Sequence, residues 1–564
     1  MDKQRAEHGG GMLDLPQGAS TLSATTDGAT GTEAFEAFES ATPAPPAPAG
    51  GRRRIVTGGL WAAASQLLPT IGVTVLGVIA ARLLGADALG RQSLIAYCNS
   101  ALAMTLQGGL TRACLRTMGY LQGSGDEEGL RRFTRWTTRA HIFAGTLVFG
   151  SMTLAGLAQG HDLPSWMLIG AVSIMDASVM GVAIRVLLRE GWAPLAKIRL
   201  VVGLLGPPIG IAAVLAGSGI IGIFAGDAVA AALMMAVVFT RYRGVGLDDG
   251  AGGARPRVGL RPPQPIARLW LLFSTNELIA QVVTKRVEFI VLTVLSTDRE
   301  VGMYSIAFMV VNLISMVPNM VAGAALPVIA SADGAGSMAS ATRHVKHALR
   351  LGTLISMPLT GLVAACGPSM ILFVYGHQYQ QAAHLVPLAG LVLLASVPTG
   401  LTEQYWAGQG RVRVIISCGL VAAVVDVGLA IGLVPVISAG GAVVANVVGQ
   451  ATLSAGLLWY TVRKTGPVGW RGRNLLAMAV ASAAGAAVGH ALAGAVTTAL
   501  GQGSLVQLLA AVTAGISGTV VLLAVCVVAK VLSPEDARWL NPLLPGPVRT
   551  ALRYVTLPER AHAA

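Results

Sequence analysis

Apolar residues run along this chain in long stretches, interrupted by short clusters of Gly, Pro, Arg or Asp. A helix needs about 20 mostly apolar residues to cross a bilayer. Stretches of that length fall at 57–82, 88–111, 133–157, 164–187, 196–217, 219–240, 267–295, 301–329, 347–368, 382–402, 412–435, 439–461, 475–499 and 504–531. The pattern predicts an all-α, polytopic membrane protein with about 14 transmembrane helices, spans one to fourteen in chain order. Two pairs are nearly continuous, so GSG at Gly217 to Gly219 and SAGG at Ser438 to Gly441 must each hold a turn.

Composition agrees with this pattern. Of 564 residues, 54% are hydrophobic and 12% charged, and the mean hydropathy is +0.66, far from a soluble domain. The 70 glycines suit helices that approach closely inside lipid. The net charge of +13 raises the question of a nucleic-acid partner, and the positions of the bases decide against one. With the N-terminus in the cytoplasm, the inner segments hold Arg52 to Arg54, Arg112 to Arg139, Arg185 to Arg199, Arg241 to Arg268, Arg343 to Arg350, Arg411 and Arg413, Arg463 to Arg473, and the tail from Lys530. Only Arg82, Arg91 and Arg299 fall in outer turns, so the charge follows the positive-inside rule. That reading places the protein in the cytoplasmic (inner) cell membrane with both termini cytoplasmic. The five scattered cysteines predict neither disulfides nor a metal site, and no cofactor is implied.

A weak internal repeat divides the chain. LLGADALGRQSL from Leu83 resembles LSTDREVGMYSI from Leu295, with Gly90 and Gly302 separated by 212 residues. KIRL at Lys197 and RVRV at Arg411 match at an offset of 214. An offset of six helices restores orientation, so the two halves are parallel copies about an axis along the membrane normal. The expected organisation is a disordered cytoplasmic tail over 1–51, an N-terminal lobe over 52–240 and a cytoplasmic linker over 241–265. A C-terminal lobe over 266–463, helices thirteen and fourteen over 464–532, and a cytoplasmic or interfacial tail over 533–564 follow. The fold class is thus two six-helix lobes in parallel pseudo-two-fold repeat plus two C-terminal helices.

Several stretches carry a family resemblance: ARLLGADALGRQSL at Ala81, EFIVLTVLSTDREVGMYSIAF at Glu288 followed by VPNMVAGAALPVIA, PSMILFVYGHQYQQAA at Pro368, GQGRVRVII and SAGGAVVAN. Together they make residues 52–545 similar to the Wzx-type oligosaccharide flippases of the multidrug/oligosaccharidyl-lipid/polysaccharide exporter superfamily. That resemblance implies two six-helix lobes around a central cavity, and movement of polyprenyl-diphosphate-linked glycans from the cytoplasmic to the outer leaflet. The implied partners are the lipid-linked glycan, membrane lipids and H⁺ or Na⁺ as coupling ion.

The candidate chemistry lies in span seven. As a continuous helix it would place Glu277, Gln281, Lys285 and Glu288 on one face, with Arg286 at the border. Each central charge costs about 2.5–3.5 kcal/mol to insert, so this face must line water or protein. Lys285 and Arg286 are expected to meet the substrate diphosphate, with Glu277, Gln281 and Glu288 beside them and Arg82 at the outer end. An ion-paired seam between the lobes is the competing reading. Asp176, Asp227 and Asp426 are the candidates for ion coupling, with Asn312 and Asn319 as further polar groups in span eight. No P-loop occurs, so transport is secondary, by alternating access, and no catalytic residue is expected. The rivals are a multidrug exporter, a lipid II flippase and a polytopic membrane glycosyltransferase. The short outer turns disfavour the last.

Overall fold

The computed structural model describes residues 51–123, 127–190, 193–242, 266–315, 338–409 and 411–530, and every regular element among them is helical. Ten helices among the described residues are long and apolar enough to cross a membrane, or eleven if the bent pair His377–Gly390 and Val392–Gly408 is one span. Two of the ten hold two spans each. Gly51–Ala103 carries spans one and two, interrupted at Gly85 (φ 83°). Val412–Thr465 carries spans eleven and twelve, interrupted at Ile437 and Ser438, the latter at φ 46°. Turns between adjacent spans are thus made by one or two residues in backbone conformations that a helix excludes. The expected turn at 217–219 is built the same way, from Gly217 (φ 85°) and Gly219 (φ 62°).

Spans three to six are Glu127–Gln159, Leu163–Glu190, Ala193–Leu215 and Gly219–Arg241. Span seven is two helices, Ile266–Val283 and Glu288–Leu295, and residues 298–315 begin span eight. Span nine is Met338–Tyr375, and the last two spans are Gly472–Leu500 and Ser504–Ala529. The expected tails at 1–50 and 533–564, most of the 241–265 linker, and Asn319 lie outside the described residues.

Among the first six spans, one packs on five, three on four, and six on both four and five. In the second set, nine packs on ten, ten on the eleven–twelve helix, and that helix on both halves of seven. Spans thirteen and fourteen pack on each other and on nine. Their crossing is made by small residues: a carbon added at Gly485 would lie 2.6 Å from the Gly518 carbonyl oxygen, and one at Gly518 2.9 Å from that of Gly485. Backbones this close maximise dispersion contact where lipid offers no hydrophobic driving force.

The two sets meet through residues that repeat at the 212-residue offset. A carbon added at Gly90 would sit 1.8 Å from the Asp298 carbonyl oxygen, and one at Gly302 2.2 Å from that of Ala86. Ser93 and Ser305 share a hydroxyl hydrogen bond of 2.8 Å. Ala86, Gly90 and Ser93 therefore face Asp298, Gly302 and Ser305, their own counterparts, as contacts across a two-fold axis require. Alongside, Tyr97 of span two stacks toward Phe289 (5.5 Å between centroids). Phe289 packs edge-on to Tyr304 (5.3 Å), and Tyr304 lies 4.8 Å from Phe308. This aromatic ladder carries the core from the first set of helices into the second.

Candidate functional site

The expectation that span seven is one helix with one charged face is overturned. Residues Thr284 to Val287 form a turn between its two helices, and Arg286 sits at φ 75°. The residue type explains little of this, since an arginine at positive φ costs roughly 1–2 kcal/mol. The surroundings hold it. Tyr97 Oη donates to the Gln281 carbonyl at 3.2 Å, and Asn446 Nδ2 donates to the Val283 carbonyl at 3.2 Å. Backbone groups released by the break are thereby satisfied by side chains of other spans, the condition for irregular backbone at membrane depth.

The break sends neighbouring charges in different directions. Arg286 is buried, donates to Asn312 Oδ1, and stacks 4.0 Å above the Phe308 ring. Its guanidinium is thus held between an amide and a ring in the core of the second helix set. Lys285 beside it is exposed, and the charges acting on it are Arg286 and Glu277. Glu277 is buried and forms a 2.6 Å ion pair with Arg112 Nη2, from the Gly109–Gly123 continuation of span two. Arg112 itself keeps half of its side chain exposed (53%). Glu403 of span ten faces the same two groups. A short π-helical turn, Met104–Gly108, precedes this region of span two, and the Leu106 carbonyl within it accepts from Trp270 Nε1 at 3.1 Å. Gln281 is buried one turn beyond Glu277 in the same helix.

A second centre lies within the second set of helices. Glu288, at the start of the second half of span seven, and Asp426 of span eleven are both fully buried. They lie within hydrogen-bonding reach of each other. None of their four carboxylate oxygens has a donor among the described residues. Asn446 and Tyr304 are their polar neighbours, and the Asp426 side chain packs where a carbon at Gly449 would come within 2.7 Å. Two buried carboxylates facing each other cannot both stay ionised without a proton or cation between them. Glu288 therefore belongs with Asp426 and not with Lys285.

The remaining candidates are dispersed. Asp176 and Asp227 are exposed on spans four and six, with the Asp176 charge acting on Asp227 and that of Arg199 on Asp176. Arg82 donates from Nε to the Val374 carbonyl (2.6 Å) and from Nη2 to that of Phe373 (2.7 Å), so it closes the last turn of span nine. Tyr379 Oη donates to the Ala81 carbonyl at 2.6 Å beside it. Arg91 pairs with Asp162 at 3.1 Å. Tyr405 and Trp406 are buried, bonded to Thr342 and Thr461, and offer no open stacking face. Sequence reasoning missed Arg112 and Asn446. Arg112 stood one residue past the expected end of span two, whereas the helix runs on to Gly123. Asn446, a buried amide in an apolar span that accepts from Gln450 Nε2 at 2.9 Å, was a legible signal.

Similarity to known proteins covers most of the chain. It matches the lipid II flippase MurJ in an inward closed conformation over 82% of this chain and 97% of that one, with TM-score 0.58 and 12% identity. A eukaryotic MATE transporter matches over 77% and 99%, with TM-score 0.53 and 13% identity. The inward-facing form of a multidrug resistance MATE transporter matches over 72% and 98%, with TM-score 0.52 and 16% identity. At such identities the likeness establishes the fold. No curated protein sequence matches the chain. A family profile described as polysaccharide biosynthesis protein matches residues 79–384, more than half of the sequence. With the fold of the MATE and MurJ transporters around a broken, charge-bearing seventh span, the chain belongs to the polysaccharide biosynthesis protein family.

Proposed function

We propose that this protein is a secondary transporter that flips polyprenyl-diphosphate-linked oligosaccharide across the cytoplasmic membrane by alternating access of its two six-helix lobes. The basic ends of the helices face the cytoplasm. The observation that carries the reading is the Arg112–Glu277 ion pair between the two helix sets beside the exposed Lys285. In the empty protein Glu277 supplies the counter-charge that Arg112 would otherwise lack. A diphosphate headgroup replaces that carboxylate, taking Arg112 through its planar fork and Lys285 as a point charge. Loss of the ion pair loosens the contact between span two and span seven, which couples headgroup capture to lobe movement.

The Glu288–Asp426 pair is the natural seat of the coupling cation. A proton or Na⁺ between the carboxylates neutralises them, and its departure leaves two like charges that push span seven and span eleven apart. Asp176 and Asp227 form an acidic pair in the other lobe. They are what a multidrug exporter of cations would use, and that is the second reading. The two separate in one assay. In vesicles with leaflet-resolved detection of a polyprenyl-diphosphate glycan, Arg112→Gln with Lys285→Gln lowers translocation by about 100-fold, the loss of two charge-assisted contacts. Abundance and helicity persist. Unchanged glycolipid flipping in that variant would remove the proposed headgroup site, whereas no flipping by the parent protein, together with loss of organic-cation efflux in Asp176→Asn with Asp227→Asn, would establish the exporter instead.

A further inference from the structure

Span two is not a regular helix. Between Gly51–Ala103 and Gly109–Gly123 it takes a single π-helical turn, Met104–Gly108, just before the arginine assigned above to the headgroup. A π turn holds one residue more than the α-helical turn it replaces, and isolated turns of this kind concentrate at functional sites. The extra residue rotates everything that follows by about 100° around the helix axis, the angle per residue of an α-helix. This register is therefore what points Arg112 at Glu277.

Both helix sets hold the turn. From the second, Trp270 Nε1 donates to the Leu106 carbonyl at 3.1 Å. Within the first, Gln107 Nε2 donates to the Ser173 carbonyl of span four at 3.2 Å. The Thr111 hydroxyl, adjacent to Arg112, has one hydrogen and two acceptors. The first is the Gln107 carbonyl at 2.8 Å. The second is Nε2 of His141 in span three at 3.0 Å, an acceptor in the neutral ring because Nδ1 gives its hydrogen to the Thr137 carbonyl at 2.8 Å. His141 is fully buried, so water cannot substitute for either bond.

The same register leaves other groups unmet. Thr105 Oγ1 within the turn and Ser274 Oγ on span seven are buried without hydrogen-bond partners among the described residues. Unpaired buried hydroxyls are costly, so the geometry shown does not satisfy every group at this crossing. The crossing is also built to turn. A carbon added at Gly109 would lie 2.4 Å from Ser274 Oγ and 2.7 Å from the Ser274 nitrogen, so backbone rests on backbone with no side chain of span two between them.

We infer that the π turn of span two is a register switch. Relaxing it into α-helix rotates the Gly109–Gly123 segment by one residue's angle, turns Arg112 away from span seven and releases the headgroup. The inference rests on the Arg112 headgroup reading and deepens it, with Trp270 and His141 as positioning residues. Trp270 ties the register to the second lobe, so the arginine turns as span seven leaves span two.

The test deletes Thr105 from the full-length protein. The deletion removes the extra residue and keeps both flanks of span two on their present faces, with Arg112 aimed at Glu277 and unable to turn. Affinity for farnesyl diphosphate, read by isothermal titration calorimetry, should stay within about three-fold of the parent. Translocation in the leaflet-resolved assay should fall by at least about ten-fold. Normal translocation by this variant would overturn the inference. Substitutions serve where the deletion prevents accumulation. His141→Gln places an amide where Nε2 accepts, whereas His141→Asn reaches only the Nδ1 position. The glutamine protein should bind farnesyl diphosphate like the parent, and the asparagine protein and Trp270→Phe about five-fold more weakly, because the binding register is less populated. Lost packing would not split glutamine from asparagine in this way, and parent-like affinity in His141→Asn and Trp270→Phe would overturn the inference. No binding by the parent would remove the headgroup site and this inference with it, whereas binding that ignores the register removes only the switch.

Discussion

Spans one and seven stand 212 residues apart in the repeat, and they meet their neighbours by opposite means. Span one runs unbroken past Pro69 and packs on span five by exchanging proline and glycine. A carbon at Gly72 would lie 2.8 Å from Pro207 Cγ, and one at Gly203 2.9 Å from Pro69 Cγ. This seam is apolar and closely fitted at these four residues. Span seven breaks at 284–287 and meets span eleven through Glu288 and Asp426, and span twelve through Asn446. The residue 212 positions before Glu288 is Leu76, buried in an apolar cluster with Ala80, Val214 and Ile223. One architecture therefore carries a static seam in one lobe and a seam whose charge can change in the other.

The severest way to break this contrast is to put a charge in the static seam. Leu76→Glu buries a carboxylate with no partner at a cost of about 3 kcal/mol or more, and the protein is expected not to accumulate in membranes. Normal yield and thermal stability would mean that the first lobe is as wet as the second. Next in size, Glu288→Gln lets an amide donate to Asp426, removing both the repulsion and the need for a cation. Translocation in that variant should lose its response to a proton or Na⁺ gradient, while the melting temperature holds or rises. A gradient response that survives would place coupling elsewhere, with Asp176 and Asp227 next in line.

Smaller effects sharpen the contact between the lobes. Gly90→Val would force a side chain into the Asp298 carbonyl, where only backbone can yield, so the Gly90–Gly302 crossing has to open by about 1–3 kcal/mol. A cysteine at Ser305 should then label far faster in intact cells than in the parent protein, and equal labelling would show that the crossing does not gate access. Arg82→Gln removes two hydrogen bonds to the Phe373 and Val374 carbonyls on a half-open site, worth about 1–2 kcal/mol. The same label should respond more weakly, and no response would leave Arg82 as a helix cap without a gating role.

The helices, their turns and the repeat were legible because each depends on local pattern or on one constant offset. Apolar length marks a span, GSG marks a turn, and Gly90 with Gly302 marks the axis between the copies. Ser438 was a partial success. The turn was placed correctly at SAGG, yet the positive φ fell on the serine, because the packing of Ala439, Gly441 and Ala442 fixes where the backbone bends. Arg82 and Arg91 were expected as outer-end charges, and their partners, carbonyls of span nine and Asp162, are far away in the chain.

By itself the sequence determined that the chain is a helical membrane protein with charge concentrated in its seventh span, since insertion energy is summed residue by residue along the chain. Only the tertiary structure decided which of those charges are available. Lys285, Arg286 and Glu288 are near neighbours in sequence, but a single positive φ at Arg286 turns one outward, stacks the next on Phe308 and delivers the third to Asp426. A helical wheel assumes one rotation per residue, and the hydrogen bonds from Tyr97 and Asn446 that stabilise the departure come from spans two and twelve.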